Sequence, residues 1–226
     1  MANHAYASLW CRDFSEANML ASFERLLGTV PSTAGKPTFI ALTIRAVDHT
    51  ETPVIDLDLR AQPHDAAQLI ALAVDHLHFD CAYETAALCD FWTWENAENA
   101  LQKRPQCVAL ACHGEEYDGA MFEFDGHFQI DLGFEHVFTG HAHLLGFGAV
   151  DPSAAPVQHP AEAEFVRRMA SPQNLRDYQE KTRENVRMLL DWMARVQATL
   201  PLDRYKLWSE GEENFEARLD EILAVR

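Results

Sequence analysis

TFIALTIRAVDHTETPVIDLDLR, Thr38 to Arg60, is the stretch on which the fold turns. In an extended chain, Ile40, Leu42 and Ile44 fall on one side of its first half. Ile55, Leu57 and Leu59 do the same in the second half, where Asp56, Asp58 and Arg60 take the opposite side. Strict alternation of this kind marks a strand with one face on a core and the other in water. The polar link DHTET between the two runs predicts a hairpin.

Upstream, AYASLWCR (residues 5–12) alternates Ala7, Leu9 and Cys11 with Tyr6, Ser8 and Trp10, a strand that could be covered on both faces. Asp13 and Ser15 supply N-cap chemistry for a helix carrying Met19, Leu20, Phe23, Leu26 and Leu27 on one side, and Gly28 stops it. PSTAGKP (31–37) reads as a loop. Downstream, Asp65 and Gln68 have the spacing of a capping box ahead of Ala66, Leu69, Ile70, Ala73 and Leu77 at helical intervals. CAYETAALCDFWTW (81–94) predicts a long strand, ENAENALQKRP (95–105) a turn, QCVALAC (106–112) a strand antiparallel to the last, and HFQIDLG (127–133) a short one. The order β-α-β-β-α-β matches the split βαβ pattern. The expected fold class is therefore α+β, a ferredoxin-like antiparallel sheet widened by an extra hairpin or strand. That superfold hosts many functions and implies none.

Residues 1–149 are expected to form this sheet domain, 150–160 a proline-rich linker, and 161–226 a C-terminal helical segment packed on the first part. Ser171-Pro172 has the look of a helix start. From there Leu175, Tyr178, Thr182, Val186, Leu189, Met193, Val196 and Leu200 follow at intervals of three and four, up to Pro201. Such a stripe packs on its own sheet, or pairs the 172–200 helix with a second copy in a homodimer. A last helix is expected over about 212–225, with Phe215, Leu219 and Ile222 on one side.

The charge is uneven. Of 18 basic and 35 acidic residues, 7 and 21 lie in residues 1–150, a net −14, and 11 and 14 in residues 151–226, a net −3. The acidic part would repel a phosphate backbone or an anionic membrane surface. Nucleic acid and membrane are therefore not expected partners, and a basic protein or a small ligand is. The N-terminal residues lack a basic run followed by an apolar one, as a signal peptide needs. The five cysteines are scattered and form no C-x-x-C pair. They read as reduced thiols, and the expected compartment is the cytoplasm.

His127, Asp131, His136, His141 and His143 crowd into 17 residues. Imidazole nitrogens and a carboxylate suit a divalent transition metal. In His127-Phe-Gln-Ile-Asp131 a strand would aim His127 and Asp131 the same way. Ordinary surface or hydrogen-bonded histidines would also explain the cluster, and no H-E-x-x-H signature accompanies it. Asp56 and Asp58 share a strand face that could hold a cation or simply meet water. Phe91 opposes Trp92 and Trp94, a set that could line a ligand pocket or a partner surface. The leading expectation is a non-catalytic binding protein. The alternative is a metal-dependent, hydrolytic enzyme built on the histidines. A further alternative is a small-molecule pocket between the sheet and the C-terminal helices.

Overall fold

The computed structural model describes residues 3–32, 35–95, 98, 100–155 and 159–225. The stretch Thr38–Arg60 forms the expected hairpin, β2 (Phe39–Ala46) and β3 (Ile55–Asp58), paired antiparallel with Leu42 opposite Leu57. Before it come β1 (His4–Cys11) and α1 (Glu16–Leu27). After it come α2 (Ala66–Ala73), β4 (Cys81–Glu95) and β5 (Ala100–His113). Next are α3 (Phe122–Asp125), β6 (Phe128–Phe134) and α4 (His136–Thr139). The chain ends with α5 (Pro160–Met169), α6 (Pro172–Thr199), β7 (Leu202–Ser209) and α7 (Phe215–Ala224). Local chemistry sets several of these boundaries. The capping box of α2 closes, with Asp65 Oδ1 accepting from the Gln68 amide and Gln68 Oε1 from the Asp65 amide, each at 3.0 Å. Pro172 stands in the first turn of α6.

The fold is α+β with one antiparallel seven-stranded sheet in the order β3-β2-β4-β5-β6-β1-β7. That order departs from the ferredoxin-like expectation. A split βαβ unit leaves one strand between its parallel pair, whereas β4, β5 and β6 all lie between β2 and β1. The cause is the β4–β5 hairpin, which pairs without a break from Ala82↔His113 to Glu95↔Ala100. Residues 100–105, expected to be part of a turn, are strand because Phe91, Trp92 and Trp94 oppose them. Pro105 fits because only Ala109–Cys112 of β5 also pair with β6. Of the expected turn, Asn96, Ala97 and Asn99 lie outside the described residues, as do Thr33 and Ala34 of the PSTAGKP loop.

The expected C-terminal helical segment also contains a strand. β7 pairs with β1 along its length, from Ala5↔Ser209 to Cys11↔Leu202. Its apolar signal is faint because it is an edge strand, where Leu207 alone is buried. Of the linker expected at 150–160, residues 156–158 lie outside the described residues, and Pro152–Ala154 form a short 3-10 turn.

One contiguous core joins both parts of the chain. Ala7, Ile130, Leu110 and Leu207 meet across the sheet on its inner face, with Tyr83, Ala87, Cys89 and Phe91 from β4. The helices cover that face. The α6 stripe, including Tyr178, Val186, Leu189, Trp192, Met193 and Val196, is buried in this core. Its apolar residues are thus engaged within the chain. Asn185 is the polar anchor of the contact. Its Oδ1 accepts from the Trp92 amide at 2.9 Å, and its Nδ2 donates to Trp92 O at 2.8 Å and to Val137 O at 2.9 Å. One buried side chain therefore ties α6 to the end of β4 and to α4.

Candidate functional site

The end of β4 held by Asn185 is also where a cavity opens. Trp94, His136, His141, Ala161, Glu162 and Phe165 line it, enclosing about 320 Å³. Gly140 terminates α4 at φ 77°, ψ 170°, a conformation open to glycine, and a Cβ there would fall 2.2 Å from Leu145 Cδ1. This sharp turn brings His141 back over His136, and the rings stack with centroids 4.1 Å apart. The backbone amide of His141 donates to Tyr178 Oη at 2.7 Å, fastening the turn to α6. Phe165 stands edge-on to Trp94, His141 and Tyr178 at 5.1, 5.5 and 5.1 Å.

Burial holds the His136 ring at a pKa of about 4, and the neighbouring His141 ring adds to the effect. Burial also lowers His141, against the opposing field of the Glu162 carboxylate. Both rings are therefore neutral at pH 7, each offering one N–H and one lone pair. Among the described residues no hydrogen bond reaches their ring nitrogens.

The other members of the expected histidine site lie elsewhere. His127 precedes β6 and His136 follows it, and a seven-residue strand keeps them roughly 20 Å apart. The His127 ring is sandwiched between Phe14 at 4.2 Å and Phe122 at 4.9 Å. Its Nδ1 accepts from the Cys11 amide at 3.0 Å, while the buried Nε2 has no hydrogen-bond partner among the described residues. Burial, reinforced by the nearby His113, lowers this ring to a pKa of about 4. His113 is buried beside it and bonds Gly126 O through Nδ1 at 3.0 Å. Asp131 is on the outer sheet face, with both oxygens 3.0 Å from His4 Nδ1. His143 is exposed. Among the described residues, no three His, Cys, Asp or Glu side chains are placed to hold one ion.

The aromatic run divides as its alternation requires. Phe91 is in the core, edge-on to Phe138. Trp92 lies under Lys181 Nζ at 4.3 Å and donates through Nε1 to Glu184 at 2.6 Å. Trp94 forms the cavity wall. Helices α5 and α6 thus cover what the opposite strand face left open.

At the Trp92–Trp94 end of β4, α5 and α6 cover the outer face of the sheet, while nearer its middle Leu88, Cys107 and Ala109 are exposed. Two cross-strand rows traverse it from edge to edge. One runs Asp56, Thr43, Glu84, Ala111, Gln129, Ser8, Lys206. The next runs Asp58, Ala41, Ala86, Ala109, Asp131, Tyr6, Trp208. Leu88 and Cys107 pair beyond them, both exposed. Tyr6 stacks on Trp208 at 4.3 Å and donates to Glu210, and burial with the nearby carboxylates pushes its phenol up to about 12. Asp56 accepts from Thr43 Oγ1 at 3.2 Å, and Asp58 is engaged by the Arg60 guanidinium, which lowers its pKa to about 2.

Glu162 and Phe165 were missed by sequence reasoning because they are distant along the chain from the histidines they meet. Tyr178 was legible as a member of the α6 stripe, but not as the partner of the His141 amide. Tyr6 was legible through the alternation of β1, but its partner Trp208 lies on the unrecognised β7. No helix among the described residues is long and apolar enough to cross a membrane. No protein-family model, curated protein or solved structure matches this chain.

Proposed function

We propose that this chain is a binding protein that offers the outer face of its sheet to a basic protein. The observation that carries the reading is the composition of that face. The wet side of an antiparallel sheet is ordinarily polar. Here the central strands put forward Ala41, Ala86, Leu88, Cys107, Ala109 and Ala111, with Leu88 49% exposed. Small side chains let another backbone approach closely. The stacked Tyr6 and Trp208 stand beside this floor, and such residues anchor interfaces. Around it, Asp56, Asp58, Glu84 and Asp131 outweigh Lys206 within the two rows. The net charge of −17 adds long-range attraction for a cationic partner.

The test is charge reversal on the face, Glu84→Arg with Ala109→Arg, against an exposed control on α7, Asp220→Arg. Affinity capture followed by binding measurements with the purified partner should find a high-pI protein held by the wild type and the control. Its affinity should fall steeply with salt and be lost in the double variant. If the double variant retains the same partner at the same affinity, the outer face is not the binding surface.

A further inference from the structure

The histidine cavity lies against α5 at the covered end of β4, away from the open middle of the outer face, and asks for a different kind of ligand. The indole of Trp94 and the ring of Phe165 stand edge-on with centroids 5.1 Å apart and give the space a flat aromatic wall. Its polar groups are few. His136 and His141 stack at 4.1 Å, and among the described residues no hydrogen bond occupies their ring nitrogens. Glu162 completes the polar lining but is already engaged within the chain, so the two imidazoles are left to meet a ligand's polar group. At about 320 Å³ the space is at the small end of ligand cavities, which run from roughly 300 to 1,000 Å³, and suits a single ring.

Charged ligands match this lining poorly. Among the described residues it holds no Lys or Arg, and the field of Glu162 that reaches His141 repels an anion. A cation fares no better. The burial that keeps protons off His136 and His141 disfavours any positive charge brought to the same place. Glu162 opposes that penalty without cancelling it, since His141 stays lowered in its presence. A neutral planar ring avoids both costs and buries its apolar faces against Trp94 and Phe165. Each neutral imidazole keeps one lone pair, which accepts from a hydroxyl. A phenol joins the two requirements, because its ring is flat and its O–H is a better donor than that of an aliphatic alcohol. We propose that the cavity between Trp94, Phe165, His136 and His141 binds a small neutral phenol, with its ring along the aromatic wall and its hydroxyl donating to a histidine ring nitrogen.

Phenol, anisole, benzamidine and benzoate are the probes, tested on the full chain at pH 7.5. Phenol is neutral there, since a phenolic O–H titrates at about 10. Calorimetry measures affinity, and histidine-selective NMR locates the site. Phenol should bind saturably in the millimolar range and shift the His136 and His141 ring signals. Anisole has the same ring but no proton to donate, and should bind about fivefold more weakly, the size of one neutral hydrogen bond. Benzamidine and benzoate, of opposite charge, should each bind about tenfold more weakly than phenol or worse. Ala161→Trp, at an exposed position on the cavity lining, should plug the site and abolish binding. His136→Phe combined with His141→Phe keeps two stacked rings without their nitrogens, and should erase the advantage of phenol over anisole. The proposal is overturned if either charged probe binds as tightly as phenol, or if anisole matches phenol on the wild-type protein. It is equally overturned if phenol fails to bind saturably, leaves both histidine signals unmoved, or still binds to folded Ala161→Trp. The four probes are compared on the wild-type protein, so the result stays readable even where a variant folds poorly.

Discussion

Acid should unfold this protein through its buried histidines, and His127 allows the effect to be measured singly. The ring is 6% exposed, lies between Phe14 and Phe122, and has a pKa of about 4 in place of 6.5. Above pH 6.5 the ring is neutral in both folded and unfolded chains and contributes no pH dependence. Between 6.5 and about 4 the unfolded chain takes up the proton and the folded one refuses it. Stability then falls as pH falls, by about 1.4 kcal/mol for each pH unit, and levels off below the folded value. The full loss from this one group is roughly 3 kcal/mol, a large share of the 5–15 kcal/mol that domains usually possess. The perturbation is His127→Gln, whose amide oxygen can still accept from the Cys11 amide. Losing two ring stacks lowers its stability at every pH, but it has no proton to take up. Urea unfolding at a series of pH values from 7 to 4.5 gives the slope for each protein. The slope for His127→Gln should be shallower by about 1.4 kcal/mol per pH unit, while His136, also held near 4, keeps its own share in both. An unchanged slope, or an NMR titration of His127 near 6.5 in the folded protein, would refute the reasoning.

Three further outcomes are expected. Asn185→Leu removes the partners of the Trp92 amide and of the Trp92 and Val137 carbonyls, and should cost about 2–4 kcal/mol in a denaturant melt. A cost under 1 kcal/mol would mean that α6 holds β4 by apolar packing alone. Gly140→Ala forces a Cβ against Leu145 at a positive φ, so it should destabilise by about 1–3 kcal/mol and separate the His136 and His141 rings, seen as a changed ring-current shift. With a thiol reagent under native conditions, Cys107 should react first, since Cys11, Cys81, Cys89 and Cys112 are buried. Burial also raises the Cys112 thiol far above its ordinary pKa. Rapid reaction of more than one thiol would contradict that burial.

Elements with a strong local period were legible. The alternation in Thr38–Arg60 gave the β2–β3 hairpin, Asp65 with Gln68 gave the start of α2, and the three-and-four spacing after Pro172 gave α6 to its last turn. The weak points were those where pairing partners outvote composition. Polar residues 100–105 are strand because an aromatic strand lies opposite, and β7 is strand because β1 offers it an edge. The histidine cluster was visible as a crowd, but crowding along a chain is not convergence in space. β6 carries His127 away from His136, and Gly140 brings His141 onto His136.

The sequence by itself determined the α+β class, most of the element boundaries and the acidic character of the sheet-bearing part. Those follow from periods of 2.0 and 3.6 residues, caps and charge counts, all of which are local or additive. Only the tertiary structure decided the strand order, the burial of the α6 stripe, and which side chains meet in the cavity and on the outer face. Strand order depends on the competition among edges, and a site depends on residues as distant as His136, Glu162 and Trp94 arriving at one place. Neither is written in any window of the chain, because the contacts that decide them form only when the chain is packed.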